Sequence, residues 1–326
     1  MSWSAHQFES YVLQKHFGEK ITISYLAIVV GDMIPDSFTK VWVYGFTVGN
    51  HHYGASDPAR FHRGWPGAGF THSLMFGVVI ATIVWLVGRP RPWAIPWAIG
   101  IVIGQWAHAI TDTNDSRGTM LFFPFTTHSF SLGTWAYAAQ VGKHEDAASY
   151  FSSLGLVMDL LWLTILLLVA RKVLTRHYFR TVIRPADPGV WSRLGRRIPE
   201  DGQVALYRGL FVLAVARVVS WTVWAHALRG YEFDLGWTGP DWLHKVPPAH
   251  ETPAWLIGGA LAVVGCCALL WLLVLRRARL PAEGVVDPQA DAAPSSIPCT
   301  ASGQSVTTPS RRASVSGGTT LVRHQE

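Results

Sequence analysis

Apolar residues in this chain fall in long runs separated by short polar or basic stretches. Five runs approach the ~20 residues that a helix needs to cross a bilayer. They lie at roughly 72–88, 93–111, 151–170, 204–228 and 254–275. Two weaker candidates are 21–31 with 38–48, interrupted by "GDMIPD", and 119–141, which contains Pro124 and His128. The pattern predicts an all-α, polytopic membrane protein, a bundle of about five to seven transmembrane or membrane-embedded helices. Residues 1–20 read as an amphipathic helix with Phe8, Tyr11, Val12 and Phe17 on its buried side.

Composition supports lipid as the main solvent. The 326 residues are 49% hydrophobic and 15% charged, against about 25% charged in a typical soluble domain. Many of the 16 tryptophans flank apolar runs, as in interfacial belts. Three cysteines make no disulfide framework. The net charge of +6 would suit a nucleic-acid partner, but its placement argues for orientation instead. Arg89 and Arg91 follow the first run. Arg171, Lys172, Arg176, Arg180, Arg184, Arg193, Arg196 and Arg197 follow the third, and Arg276, Arg277 and Arg279 the fifth. All three clusters reach the cytoplasmic side if 112–150 does not cross. His72, His108 and Asp112 then lie at the outer face, and no nucleic-acid partner is expected. The expected organisation is a unit at 1–148, a transmembrane bundle at 149–280 with a basic cytoplasmic loop at 171–203, and a disordered, cytoplasmic tail at 281–326, where large apolar residues are sparse.

Ligand-type residues cluster in the first 130 positions. His6 lies in the N-terminal helix, Asp32 and Asp36 in "GDMIPD", His62, Arg63 and His72 around "HRGWPGAGFTH", and His108 and Asp112 in "HAITD". His108 and Asp112 are one turn apart on one helix face and can share a divalent cation, zinc being favoured by such donors. The runs at 72–88 and 93–111 form a hairpin about Arg89–Trp93. At 1.5 Å per residue, His72 and His108 stand roughly 25 and 22 Å above that turn, at similar height. Asp32 and Asp36 interrupt an apolar stretch, where carboxylates are costly and usually functional. Pro35 is expected to open the helix at Ile34 and free Asp36 to turn inward. The glycines at 64, 67 and 69 predict a flexible loop.

"GDMIPD", "HRG", "THS" and "HAITD" with a downstream "FPF" resemble bacterial membrane-bound metal-dependent hydrolases, also described as LexA-binding, inner-membrane-associated hydrolases. The resemblance covers about residues 6–130 and carries over His6, Asp36, His62, Arg63, Thr71, His72, Ser73, His108, Asp112 and Pro124. "HRG" and "THS" are separated here by "WPGAGF", where the family pattern has a single residue. The resemblance implies a helical inner-membrane protein with a metal site, and a distant similarity to zinc-dependent phospholipase C.

The expected metal ligands are therefore His6, Asp36, His62, His72, His108 and Asp112. Asp32 is the expected general base and Arg63 the expected anion holder. The expected activity is hydrolysis of a phosphoester, on a phospholipid or lipid phosphate, through a water activated by the cation. The competing expectations are a non-catalytic scaffold holding a structural metal, and a proton- or metal-coupled transporter.

Overall fold

The computed structural model describes residues 1–137 and 143–241. All of them lie in the first of two units, Met1–Glu283. The run at 254–275 and the tail at 281–326 fall outside the described residues.

The first helix, α1 (Trp3–Gly18), starts at Ser2, whose hydroxyl accepts the backbone N–H groups of Ser4 and Ala5. Its Phe8 and Tyr11 are fully buried. Ser24 caps α2 (Tyr25–Tyr44) in the same way through the Ala27 N–H. A small hairpin follows, β1 (Phe46–Val48) paired antiparallel with β2 (His51–Tyr53). After α3 (Pro58–Arg63) and a 3-10 turn at Gly69–His72 come α4 (Leu74–Gly88) and α5 (Ala94–Thr111).

Pro35 does not open α2. The helix runs unbroken through it, although an internal proline costs roughly 3 kcal/mol. Packing against α5 outweighs that cost. A Cβ on Gly31 would fall 2.4 Å from the Ile101 carbonyl oxygen, and one on Gly104 would fall 2.1 Å from that of Ile28. The two backbones touch, and α2 stays continuous through Pro35. Asp32 and Asp36 thus share one inward face of a continuous helix, one turn apart.

The hairpin expected of α4 and α5 is present, and α5 ties its far end to the start of α4. Gln105 donates to the carbonyls of Thr71 and Ser73, and Trp106 to that of Leu74. His72 and His108 therefore stand side by side, ring centroids 5.2 Å apart. Residues 112–137 contain no crossing helix. Isolated bridges, Thr119 with Phe130 and Asp115 with Trp135, hold them in irregular structure. The described part of the 119–141 candidate is accordingly not a span.

The second half contains α6 (Lys143–Phe151), α7 (Leu154–Val173), short helices α8 (Arg176–Tyr178), α9 (Arg184–Ala186) and α10 (Pro188–Gly195), and α11 (Glu200–Val223). Arg176, Arg180 and Arg184 pair with Glu200 at the start of α11. Against this half α1 packs through Tyr11, whose hydroxyl donates to the Tyr207 carbonyl. Asp159, buried in apolar α7, accepts from Ser2 and Tyr150 and so anchors the first turn of α1.

Among the described residues, three helical segments are long and apolar enough to cross a membrane: Ala94–Asn114, Leu154–Val173 and Glu200–Leu228. A fourth, α4, is apolar but only 15 residues long. The described residues thus support three spans in a mostly helical protein, fewer than the five to seven expected. The shortfall arises because α4 is short, 119–137 is irregular, and 254–275 lies outside the described part.

Candidate metal centre

Five segments converge on one buried cluster. His6 comes from α1, Asp32 and Asp36 from α2, His62 and Arg63 from α3, His72 from the 3-10 turn, and His108 and Asp112 from the end of α5. None of these residues is more than 3% exposed. His62 and His72 meet because "WPGAGF" folds back on α3, with the Ala68 N–H donating to the Phe61 carbonyl. A Cβ on Gly69 would fall 2.5 Å from the Arg63 carbonyl carbon. The expected flexible loop is a tight turn that only glycine fits, and it brings the two rings to 4.8 Å.

The imidazoles share one design. Their Nε2 atoms face carboxylates: His62 lies 3.2 Å from Asp36 Oδ1, His108 lies 3.0 Å from Asp112 Oδ2, and His72 lies 3.9 Å from both oxygens. Their Nδ1 atoms face second partners: Thr39 for His62, Thr71 at 3.1 Å for His72, and Asp32 Oδ1 at 3.6 Å for His108. Nε2 of His6, His62, His72 and His108 has no hydrogen-bond partner, and neither has Asp36 Oδ1. Donors of Asp36, His72, His108 and Asp112 all lie within 4.8 Å of one another. Buried polar atoms are normally satisfied. The Nε2 lone pairs and Asp36 Oδ1 converge without a proton donor between them, while Asp112 also accepts from Arg63 and the Met1 amine. A divalent cation satisfies such lone pairs, so these residues fit such an ion.

Electrostatics keep the loop histidines competent as ligands. Burial pushes His62 down to about 3, with Lys40 adding to the effect. Burial and the neighbouring Arg63 hold His72 well below the usual imidazole range. Both rings are therefore neutral near pH 7, the form that binds metal.

Arg63 sits within the cluster. Its Nη2 donates to Asp112 and lies 3.4 Å from Asp115, while Nε and Nη1 have no partner. Its guanidinium lies over the Tyr137 ring. Asp32, by contrast, is taken up by Ser10, His6 and His108, on the Nδ1 side of both rings. Asp115 accepts the backbone N–H groups of Arg117 and Gly118. Glu9, absent from the expected set, is buried with its Oε2 3.5 Å from His6 Nδ1. Its spacing, three residues after His6 on a helix, was the available signal. Trp3, which donates to Asp36, and Lys40, one turn after Asp36, were also missed.

A family model described as YdjM inner membrane protein matches residues 7–180, more than half of the chain. No curated protein and no solved structure matches it.

Proposed function

The chain belongs to the YdjM inner membrane protein family, and on that premise we propose that it is a membrane-bound metal-dependent hydrolase acting on a phosphoester of a lipid. The observation that carries the reading is the convergence of unpartnered Nε2 atoms on the unpartnered Asp36 Oδ1, beside Asp112, in a fully buried cluster. Asp36, His72, His108 and Asp112 would hold the cation, with His62 beside Asp36. Zinc is the favoured ion, because imidazole and carboxylate donors suit it. A bound divalent cation would supply Lewis-acid chemistry, lowering the pKa of a water and offsetting charge on phosphoryl oxygens.

The chain's own residues then have distinct tasks. Arg63 keeps Nε and Nη1 for an anionic oxygen while its Nη2 holds Asp112. Thr39 and Thr71 fix the orientation of His62 and His72 through Nδ1. Asp32 was the expected base, but its contacts direct it to His6 and His108, and we assign it no proton-transfer role. The membrane location comes with the family, and the three apolar helices agree with it. An outer-face site and a cytoplasmic C-terminal side follow from the basic clusters. The partners of this reading are membrane lipids, with a phospholipid or a lipid phosphate as substrate.

Burial of every donor favours a second reading, a structural metal in a non-catalytic scaffold, since closed coordination is typical of structural sites. One assay separates the two. The detergent-purified full chain, loaded with zinc, is given phosphatidic acid or a polyprenyl phosphate, and phosphate release is followed. Release that stops with chelator and in His108→Ala supports the hydrolase. Zinc retention without turnover of either lipid supports the scaffold.

A further inference from the structure

His6 and His108 stack, with ring centroids 4.1 Å apart and planes 14° from parallel. A histidine nitrogen binds a metal through a lone pair in the ring plane, at ~2.0–2.1 Å. Two planes stacked in this way do not intersect near either ring, so one ion cannot lie in both. If His108 Nε2 serves the ion among Asp36, His72 and Asp112, His6 is left to another.

The surroundings of His6 Nδ1 are those of a second ligand set. Asp32 Oδ1 lies 3.0 Å away and Glu9 Oε2 3.5 Å away. All three residues are at most 2% exposed. Despite the short separation, His6 Nδ1 and Asp32 Oδ1 are not hydrogen-bonded to each other or to anything else. Glu9 Oε2 has only a 3.5 Å contact from the Thr111 hydroxyl. The basic groups nearby are used elsewhere: Lys40 pairs with Asp36, Arg63 with Asp112 and Asp115, and the Met1 amine with Asp112. Among the described residues no lysine, arginine or amine pairs with Glu9 or Asp32. Two buried carboxylates facing an imidazole carry charge that must be answered.

We propose that His6 Nδ1, Asp32 and Glu9 form a second cation site, so that the cluster takes two divalent ions. This rests on the metal reading of the Asp36, His72, His108 and Asp112 group. One imidazole with two carboxylates suits Zn²⁺ or Mn²⁺. His108 Nδ1 stays outside the second site by the same stacking argument, and faces Asp32 as an outer partner.

The test is cobalt stoichiometry. The detergent-purified full chain is dialysed to equilibrium against Co²⁺ and its metal content is measured, alongside Glu9→Gln, His6→Asn and His72→Gln. The expected result is about two equivalents in the wild type and about one in each variant. His6→Asn carries the test if Glu9→Gln fails to elute as the wild type does. One equivalent in the wild type, unchanged in Glu9→Gln, overturns the second site alone and means that a proton on His6 answers the charge. Two equivalents retained in both Glu9→Gln and His6→Asn place the second ion elsewhere and also overturn it. No cobalt in the wild type removes the first site and this inference together.

Discussion

Asp36 Oδ1 lies 3.2 Å from His62 Nε2 and links the α2 carboxylate to a histidine 26 residues further along the chain. The contact exists because two unlike devices meet. A proline-containing helix stays continuous under packing, and a glycine-rich turn folds back to place His62 beside His72.

The seating of α2 depends on bare backbone contact with α5. Gly104→Ala would ordinarily stabilise a helix, by about 0.5–1 kcal/mol. Here its Cβ would fall 2.1 Å from the Ile28 carbonyl oxygen. The expected outcome is destabilisation by roughly 1–3 kcal/mol, as in other overpacked sites. Thermal unfolding in detergent measures it, and a variant as stable as the wild type would show that the helices are not in contact.

Asp159 anchors α1, and through it His6. Replacing it by alanine leaves Ser2 and Tyr150 without their shared acceptor. Loss of such a buried partner costs about 1–3 kcal/mol. The expected outcome is that stability loss, with weaker cobalt binding from a loosened His6. Tyr150→Phe, which removes one donor, should cost less. Equal stability of Asp159→Ala and wild type would refute the anchoring role.

Much of the site was legible in the sequence, and the reasons are local. His108 and Asp112 follow from helical spacing, and the common height of His72 and His108 follows from the length of the hairpin arms. The fate of Pro35 was not legible, because it depends on Gly31 and Gly104 meeting across two helices. The fold-back of "WPGAGF" depends on a glycine beside the Arg63 backbone, which no spacing rule encodes. The stacking of His6 on His108 joins residues 102 positions apart and arises only once α1 docks. The burial of Glu9, three residues from His6, likewise arises only once α1 docks.

A further membrane-embedded helix is expected in α2. It is 20 residues long, ~30 Å. Its Asp32 and Asp36 are buried, while Val30, Phe38, Val41 and Trp42 are exposed. Nitroxide labels at positions 30 and 38, with the protein in bilayers, should collide with oxygen more than with a water-soluble nickel chelate. The opposite ranking would place this face in water.

The orientation rests on the basic segment after α7. Single cysteines replacing Arg196 and Trp237, both in exposed or half-buried positions, can be labelled in intact cells with an impermeant reagent. Labelling at 237 and not at 196 is expected. The reverse pattern would put the candidate centre on the cytoplasmic side.

The most direct test of the central claim is X-ray absorption at the zinc edge of the full chain purified with zinc. A shell of nitrogen and oxygen donors at ~2.0–2.2 Å, with the multiple scattering of imidazole and no sulfur, is the predicted result. In His72→Gln and His108→Ala that imidazole scattering should weaken and bound zinc should fall. Zinc that is absent from the wild type, or unchanged when both histidines are replaced, would contradict a metal centre built on Asp36, His72, His108 and Asp112.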